Sequence, residues 1–281
     1  MSTTTWPAPA KINLFLHVTG RRADGYHLLQ THFQFLDYGD DISIEVTTDG
    51  LITRASDLAG VAPEQDLVVR AARALQAASG CALGARIGVV KRIPMGGGLG
   101  GGSSNAATVL RVLDRLWQTG LGVDRLAEIG LKLGADVPVF VRGHAAFAEG
   151  VGEVLVPLDA EEPWTLVIHP GCEVPTAAVF GDSQLTRHTP PIKIHRLSST
   201  STHNDCEPVT RRLFPAVNEA LDWLNAFAPA RMSGTGACIF ASFPSQQAAE
   251  DTGQQVPDGW RWFVAKRANR SPLLVRLDAQ A

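Results

Sequence analysis

The chain has 281 residues, of which 45% are hydrophobic and 19% are charged, and its formal net charge is −3. This composition is typical of a globular chain with a large core, and it excludes an intrinsically disordered protein. Because basic residues are neither in excess nor clustered, the composition also argues against a nucleic-acid-binding protein, and we expect no nucleic-acid partner.

The amino-terminal segment and the apolar stretches predict neither export nor membrane insertion. The apolar run over 12–18 is short and contains polar residues, and no charge-free window of about 18 apolar residues occurs. Since no Arg-rich transit segment is present either, we expect a protein of the bacterial cytoplasm. With no C-x-x-C pair, the cysteines should be reduced thiols; they are Cys81, Cys172, Cys206 and Cys238.

Strand patterns dominate the first part of the chain. Residues 12–18 and 41–46 have the pattern of strands, and the Asp-Gly pair at 24–25 is a strong turn signal between them. The spacing of apolar residues then predicts a helix over 67–75 and a strand over 85–93.

A glycine-rich segment follows, and two helices follow the glycines. Apolar residues over 106–117 recur at i, i+3, i+4 and i+7, which predicts a helix. Ser103 or Ser104 is expected to cap the start of this helix, and Gly120 to end it. A second short helix is predicted over 124–133.

The second half mixes strands and helices without strict alternation, which favours an α+β fold. Strands are predicted over 165–169 and 237–243, and a helix over 216–228. Residues 181–205 are predicted to form a long polar loop. The composition shifts near 156–164, so we place a domain boundary there. The two predicted domains are 1–155, which would bind ATP, and 156–281, on the substrate side.

Six of the seven residues from Gly96 to Gly102 are glycine. Such a run costs backbone entropy and contributes no packing, so it requires a reason. Backbone N–H groups that approach a phosphate chain beside a helix N-terminus would supply one. The alternative is a flexible linker, but linkers rarely run from a strand directly into a helix.

Known phosphate loops and catalytic motifs do not account for this segment. No lysine follows the glycines as a Walker A loop requires, and no H-R-D or D-F-G sequence follows as in protein kinases. A G-x-G-x-x-G match exists, but the acidic residue about 20 positions later lies within the predicted helix. The serines do not form G-x-S-x-G, and the histidines have no metal-ligand spacing, so neither a hydrolase nor a resident metal site is predicted.

Three segments together resemble the motifs of the GHMP kinases. Residues 94–107, around the glycines, are similar to the second motif of that family. Pro-Ala-Lys-Ile-Asn-Leu at 9–14 resembles the first motif, and Ser-Gly-Thr-Gly-Ala-Cys-Ile-Phe at 233–240 resembles the third. All three occur in the family's order, so the combination is far more specific than any one of them.

The resemblance implies a two-domain α+β fold with the active site in the cleft between the domains. It implies an ATP-dependent kinase that acts with Mg²⁺ on an alcohol acceptor. Segments 22–27, 134–140 and 143–150 are similar to one kind of GHMP kinase, whose acceptor is a polyol linked to cytidine diphosphate. No membrane partner is implied, and the assembly could be a monomer or a homodimer. Alternatives are a homoserine- or mevalonate-type kinase, or a nucleotide sensor without catalysis.

Two charged residues are the catalytic candidates. Asp136 follows a predicted helix end and precedes Pro138, where it could face a cleft or simply cap the next segment. Lys11 lies beside an apolar strand, where it could be an active-site cation or a solvated strand-edge lysine. The resemblance matches both to the family's catalytic pair, in which a lysine stabilises a carboxylate and an acceptor oxygen.

Residues after the turn at 24–25 are the candidates for substrate recognition. Tyr26 could stack on a base and His27 could bond its edge, although from the residues alone a hairpin tip packed on the surface is the more natural interpretation. The resemblance adds Phe180 to a cytosine pocket, with Thr176 and Asn13 as polar contacts.

The resemblance also implies an ATP-binding set. Its members are Pro94, Met95, Gly96, Gly97, Gly98, Leu99, Gly100, Gly101, Gly102, Ser103 and Ser104. One departure concerns the adenine site, since the family often has Asp-Asn-Leu where this chain has Gln65-Asp66-Leu67. Lys91 could lie near the same pocket or be a solvated strand residue.

Overall fold

The computed structural model describes residues 3–55, 62–197 and 202–280. Its ten strands are β1 Thr4–Arg21, β2 His27–Thr47, β3 Ile52–Arg54, β4 Gly84–Val90, β5 Ala146–Glu149, β6 Val154–Pro157, β7 Trp164–His169, β8 Ala230–Met232, β9 Ile239–Phe243 and β10 Arg261–Ala268. The α-helices are α1 Leu67–Ser79, α2 Gly101–Leu116, α3 Gly122–Leu131, α4 Val137–Arg142, α5 Thr176–Gly181, α6 Glu207–Leu213, α7 Pro215–Asn225, α8 Gln246–Gly253 and α9 Pro272–Asp278. These counts refer to the described residues alone.

The long strand β2 organises the sheet. It pairs with β1 from His27 to Ile44, and different parts of its other edge pair with β4, β5 and β10. The continuous path through the sheet is β3-β4-β2-β10-β7-β9-β8. Because β2 meets β10, the strands of the amino-terminal half connect directly to those of the carboxy-terminal half.

Three apolar clusters fill the molecule. The first lies between β1, β2, β4 and the helices α1 to α4, and it also receives Leu273 and Leu277 of α9. The second packs α5 to α8 against β7 and β9. A small third cluster joins the halves, and it includes Ile12 of β1, Leu99 of the glycine segment and Phe240 of β9. The glycine segment is therefore anchored where the two halves meet.

The structure confirms the predicted helices over 67–75, 106–117 and 124–133 and the strands over 12–18 and 41–46, within a few residues at their ends. The predicted boundary at residue 155 falls inside β6, and α9 returns to pack on the first cluster. The division into 1–155 and 156–281 therefore stays a prediction.

The predicted loop over 181–205 is partly packed rather than free. Its Leu185 is buried in the second cluster, and residues 194–196 form one 3₁₀ turn. Residues 198–201 lie outside the described part of the chain.

All four cysteines are free thiols, as expected. Burial raises the pKa of the Cys206 thiol to about 12, which makes it an inert core group. Within the described residues, no helix is both long and apolar enough to cross a membrane.

Truncation of Leu110 tests the first cluster. The side chain is fully buried on α2, whereas Leu131 at the end of α3 is 40% exposed. We expect Leu110→Ala to lower the free energy of unfolding by about 2–5 kcal/mol, because the cavity adds to the lost burial. Leu131→Ala should change it by less than about 1 kcal/mol. Urea unfolding measures both, and equal losses would contradict the assigned packing.

Candidate active site

The glycine segment forms a tight loop between β4 and α2. Gly98 and Gly100 have φ angles of 74° and 72°, which L side chains rarely adopt. A Cβ atom on Gly98 would lie 2.1 Å from the backbone oxygen of Ser233, and one on Gly100 would lie 2.8 Å from the Phe140 ring. Glycine is therefore required at both positions by close approach as well as by backbone conformation.

Hydrogen bonds from distant segments hold the loop. The hydroxyl of Ser233 donates to the Gly98 oxygen at 2.9 Å, and the Cys238 amide donates to the Gly97 oxygen at 3.1 Å. The Lys11 amide donates to the Leu99 oxygen at 3.0 Å. The three motifs of the sequence therefore meet at one loop.

Helix α2 begins at Gly101, about one turn earlier in the chain than a cap at Ser103 or Ser104 would allow. Gly100 in the left-handed conformation occupies the N-cap position without a side-chain bond, so the predicted cap by Ser103 or Ser104 is wrong. Both serines lie in the first turn. The N–H groups of residues 101–103 have no intrahelical partner and favour an anion together with the helix dipole.

Two cavities meet beside this helix. One of about 480 Å³ is lined by residues 94–103 and by Lys91, and the other, of about 740 Å³, is lined by Tyr26 and His27. The lining residues common to both cavities are Gly98, Ser103, Asp136 and Thr176. A group bound in one cavity can therefore reach a group bound in the other at this junction.

Lys11 lies at the junction and is almost completely buried. Its ammonium donates to the Asn13 amide oxygen at 2.6 Å and to the Gly98 oxygen at 3.0 Å, and lies 3.3 Å from the Asp136 carboxylate. It also lies 5.2 Å from the centre of the Phe33 ring. A solvated strand-edge lysine does not fit these contacts, which fix the ammonium between the loop and the carboxylate.

Asp136 precedes α4 at the N-cap position, but its side chain makes no capping bond. The carboxylate is 34% exposed and faces Lys11. The interpretation as an ordinary cap is therefore excluded, and the carboxylate remains available to a ligand at the junction.

A buried polar network positions Asn13. Its side-chain nitrogen donates to the Thr31 hydroxyl at 2.9 Å, and its backbone amide donates to the Ser233 hydroxyl at 3.2 Å. These bonds turn the Asn13 oxygen toward Lys11. Asn13 thus orients the lysine as well as lining the larger cavity.

The remaining candidates for substrate recognition also line the larger cavity. Tyr26 is 64% exposed, and the His27 ring stacks on Phe180 with centroids 5.0 Å apart. Thr176 pairs with the Thr235 hydroxyl at 3.3 Å, across the cavity wall. The structure therefore brings all five predicted substrate-side residues to one cavity.

Among the predicted ATP-binding residues, 94–103 line the smaller cavity, whereas Ser104 is buried away from it. Asp66, also on this wall, accepts the Val68 amide at 3.0 Å and pairs with Arg54 at 3.2 Å. Lys91 pairs with the buried Asp40 and is not a freely solvated strand residue.

Sequence reasoning missed three residues at the site. Ser233 and Thr235 belong to the third motif, so their role could have been found from it. Arg187 donates to His27 from within the predicted loop. No local sequence pattern predicts the role of Arg187, because its partner His27 lies 160 residues away in the sequence.

Comparisons with known proteins identify the family of this chain. Residues 66–144 match the GHMP kinases N terminal domain, and residues 188–261 match the GHMP kinases C terminal domain. The crystal structure of a 4-(cytidine 5'-diphospho)-2C-methyl-D-erythritol kinase is 33% identical, with a TM-score of 0.83 over 94% of this chain and 99% of that one. The chain belongs to the GHMP kinases.

Two further structures share the fold at lower identity. Homoserine kinase from Cytophaga hutchinsonii has a TM-score of 0.67 at 18% identity, over 97% of this chain and 96% of that one. Mevalonate kinase from Methanococcus jannaschii has a TM-score of 0.68 at 14% identity, over 95% and 98%. The predicted two-domain α+β GHMP fold is confirmed, and the protein is an ATP-dependent small-molecule kinase.

Proposed function

We propose that the protein transfers the γ-phosphoryl group of ATP to the 2-hydroxyl of 4-diphosphocytidyl-2-C-methyl-D-erythritol. The observation that carries the proposal is the acceptor cavity of about 740 Å³, with an aromatic wall at Tyr26 and Phe180 and the Lys11–Asp136 pair at the junction. A cavity of this size suits a nucleotide-linked acceptor better than a small alcohol. The 33% identical relative supports the same substrate.

The smaller cavity would hold the triphosphate of ATP. The glycine loop and the first residues of α2 line it, and their backbone N–H groups would offset phosphate charge without a Walker lysine. The γ-phosphoryl group would then lie at the junction, near Ser103 and Asp136. Binding in adjoining cavities supplies much of the alignment that in-line transfer requires.

The Lys11–Asp136 pair would act on the acceptor hydroxyl. As the acceptor oxygen forms its bond to phosphorus and the bond to the ADP oxygen breaks, Asp136 accepts the hydroxyl proton. The Lys11 ammonium favours the charged carboxylate and stabilises the developing alkoxide. Buried contacts to Asn13 and Gly98 keep the ammonium in place during this step.

Oxygen groups at the junction fit Mg²⁺. The Ser103 hydroxyl and the Asp136 carboxylate line both cavities, and the buried Asn105 side-chain oxygen, on the wall of the smaller one, has no hydrogen-bond partner. Mg²⁺ binds through one or two such groups together with phosphates and waters. When bound, the ion would offset charge on the transferred group.

This substrate would place the enzyme in the non-mevalonate route to isoprenoid precursors, in the bacterial cytoplasm. Residues 1–155 would supply most of the ATP site and much of the acceptor cavity, to which 156–281 would add Thr176 and Phe180. A monomer or a homodimer would serve equally, because a single chain contains both cavities.

The deciding experiment is a measurement of ADP release with Mg·ATP and three acceptors in parallel. The acceptors are 4-diphosphocytidyl-2-C-methyl-D-erythritol, homoserine and mevalonate. We expect turnover with the cytidylyl acceptor alone. Turnover with a simple alcohol instead would overturn the proposed substrate, and ATP binding without any turnover would favour a nucleotide sensor.

Truncation of Tyr26 tests the acceptor cavity. We expect Tyr26→Ala to raise KM for the cytidylyl substrate about 10- to 100-fold, the scale of one lost base stack, with KM for ATP unchanged. Steady-state kinetics measures both constants. The matched control is Tyr38→Ala, because Tyr38 is the other tyrosine of the chain and stacks on Phe263 outside both cavities. If the two variants had equal KM values, the proposed role of Tyr26 would be wrong.

A further inference from the structure

Arg187 connects the two walls of the proposed base pocket. Its Nε atom donates to His27 Nε2 at 3.0 Å, and its terminal nitrogens donate to the backbone oxygens of Phe180, Asp182 and Leu185 at 2.9, 2.7 and 3.1 Å. One planar guanidinium thus joins the start of β2 to the end of α5.

This contact determines which nitrogen of His27 carries the proton. A guanidinium only donates, so His27 Nε2 must be the acceptor and Nδ1 must bear the hydrogen. Among the described residues, nothing accepts a hydrogen bond from Nδ1, and His27 lines the acceptor cavity. The pocket therefore presents a ring N–H donor to a bound ligand.

The donor distinguishes two pyrimidines by ordinary base chemistry. Ring atom N3 is an acceptor in cytosine, whereas in uracil N3 carries a hydrogen and donates. An N–H group that faces N3 can bond cytosine, but it opposes a second donor in uracil. Sites built around one such hydrogen bond discriminate strongly, because the wrong partner leaves polar groups unpaired.

We propose that Arg187 is a positioning residue that holds the His27 proton on Nδ1 and thereby makes the acceptor site select cytosine over uracil. This inference rests on the proposed function, since it assigns the base specificity of the same cavity. Arg187 is absent from the lining of that cavity and would act through His27 and Phe180 alone.

The charges around His27 give the proposal a pH signature. Burial lowers the pKa of His27 most, and the positive charges of Arg187 and Arg21 lower it further. The turn between β1 and β2 adds one further charged group to the cavity wall near His27, Asp24, and this carboxylate pairs with Arg22. As the pH falls through the pKa, His27 gains a second proton and can no longer accept from Arg187. Removal of the Arg187 charge raises that pKa. In Arg187→Met the doubly protonated ring carries a hydrogen on Nδ1 without help from Arg187, so the cytosine preference of this variant should recover as the pH falls.

The experiment compares the cytidine-linked substrate with its uridine-linked analogue in wild type, Arg187→Met and Arg187→Lys. The readout is the ratio of kcat/KM for the two substrates, which does not depend on the fraction of folded enzyme. Arg212→Met is the matched control, because Arg212 pairs with Asp182 at 2.7 Å in the same segment and makes no contact with His27.

We expect Arg187→Met to lower the cytidine-to-uridine ratio by about tenfold or more, as the loss of one hydrogen-bond distinction predicts. KM for the cytidine-linked substrate should rise with kcat nearly unchanged, and the ratio for Arg187→Met should recover as the pH falls through the pKa of His27. Arg187→Lys should recover part of the ratio, and Arg212→Met should retain the wild-type value.

The possible results distinguish the role of Arg187 from the proposed reaction itself. An unchanged ratio in Arg187→Met, with KM raised equally for both substrates, would show a merely structural role and overturn the inference. Equal use of both substrates by the wild type would also overturn it, while the proposed reaction stood. Failure of the wild type to phosphorylate either nucleotide-linked substrate would overturn the proposed function itself.

Discussion

Asp136→Asn is expected to lower kcat for the proposed acceptor about 10²- to 10⁴-fold, the range that a general base contributes. KM for ATP and for the acceptor should change little. The substitution preserves shape and removes the charge that faces Lys11 at 3.3 Å. Lys11 keeps its bonds to Asn13 and Gly98, so the junction should retain its geometry. Pre-steady-state measurement of ADP formation separates the chemical step from product release.

Asp124→Asn is the matched control for this variant. Asp124 lies on α3, is 86% exposed and pairs with Arg142 at 3.0 Å. The control substitution therefore also removes a carboxylate from an ion pair. It lines neither cavity. We expect wild-type kinetics from Asp124→Asn. A fall of less than about tenfold in Asp136→Asn would show that the carboxylate is not the proton acceptor.

Local sequence patterns predicted the parts of the site that depend on neighbouring residues. The glycine run, the lysine before an apolar strand and the aspartate before Pro138 each suggested a role by themselves. The structure adds that Lys11 and Asp136 face each other at the junction of two cavities, although 125 positions separate them. Chain spacing cannot show such a pairing, and the family resemblance supplied it.

The sequence predictions failed where backbone conformation, a very short helix or a distant contact decided the structure. Ser103 and Ser104 are good N-cap residues, but Gly100 in the left-handed conformation starts α2 earlier and places both serines inside it. Helix α4 has six residues, too few for a helical period to be visible. Arg187 was missed because a guanidinium in a polar loop looks like any solvated arginine until its four acceptors are known.

Gly98→Ala is expected to abolish productive ATP binding, raising KM for ATP at least about 100-fold. Two effects combine at this position. The φ angle of 74° is costly for alanine, and the new Cβ would lie 2.1 Å from the Ser233 backbone oxygen. Because neither backbone segment can occupy that space, the loop must move away from the third motif. The Gly98 oxygen accepts from both Lys11 and Ser233, so displacement of the loop also displaces the Lys11 ammonium.

Gly120→Ala separates these two effects. Gly120 has a φ angle of 64°, but a Cβ atom there would meet nothing within 4 Å. It should therefore lose about 1–2 kcal/mol of stability from backbone strain and keep wild-type kinetics. Nucleotide titration and thermal unfolding of both variants measure the difference. Equal behaviour of the two would mean that the loop tolerates movement at Gly98. In that case the bond from the Lys11 ammonium to the Gly98 oxygen would not be needed for the reaction, and the contacts with Asn13 and Asp136 would be enough to place the ammonium.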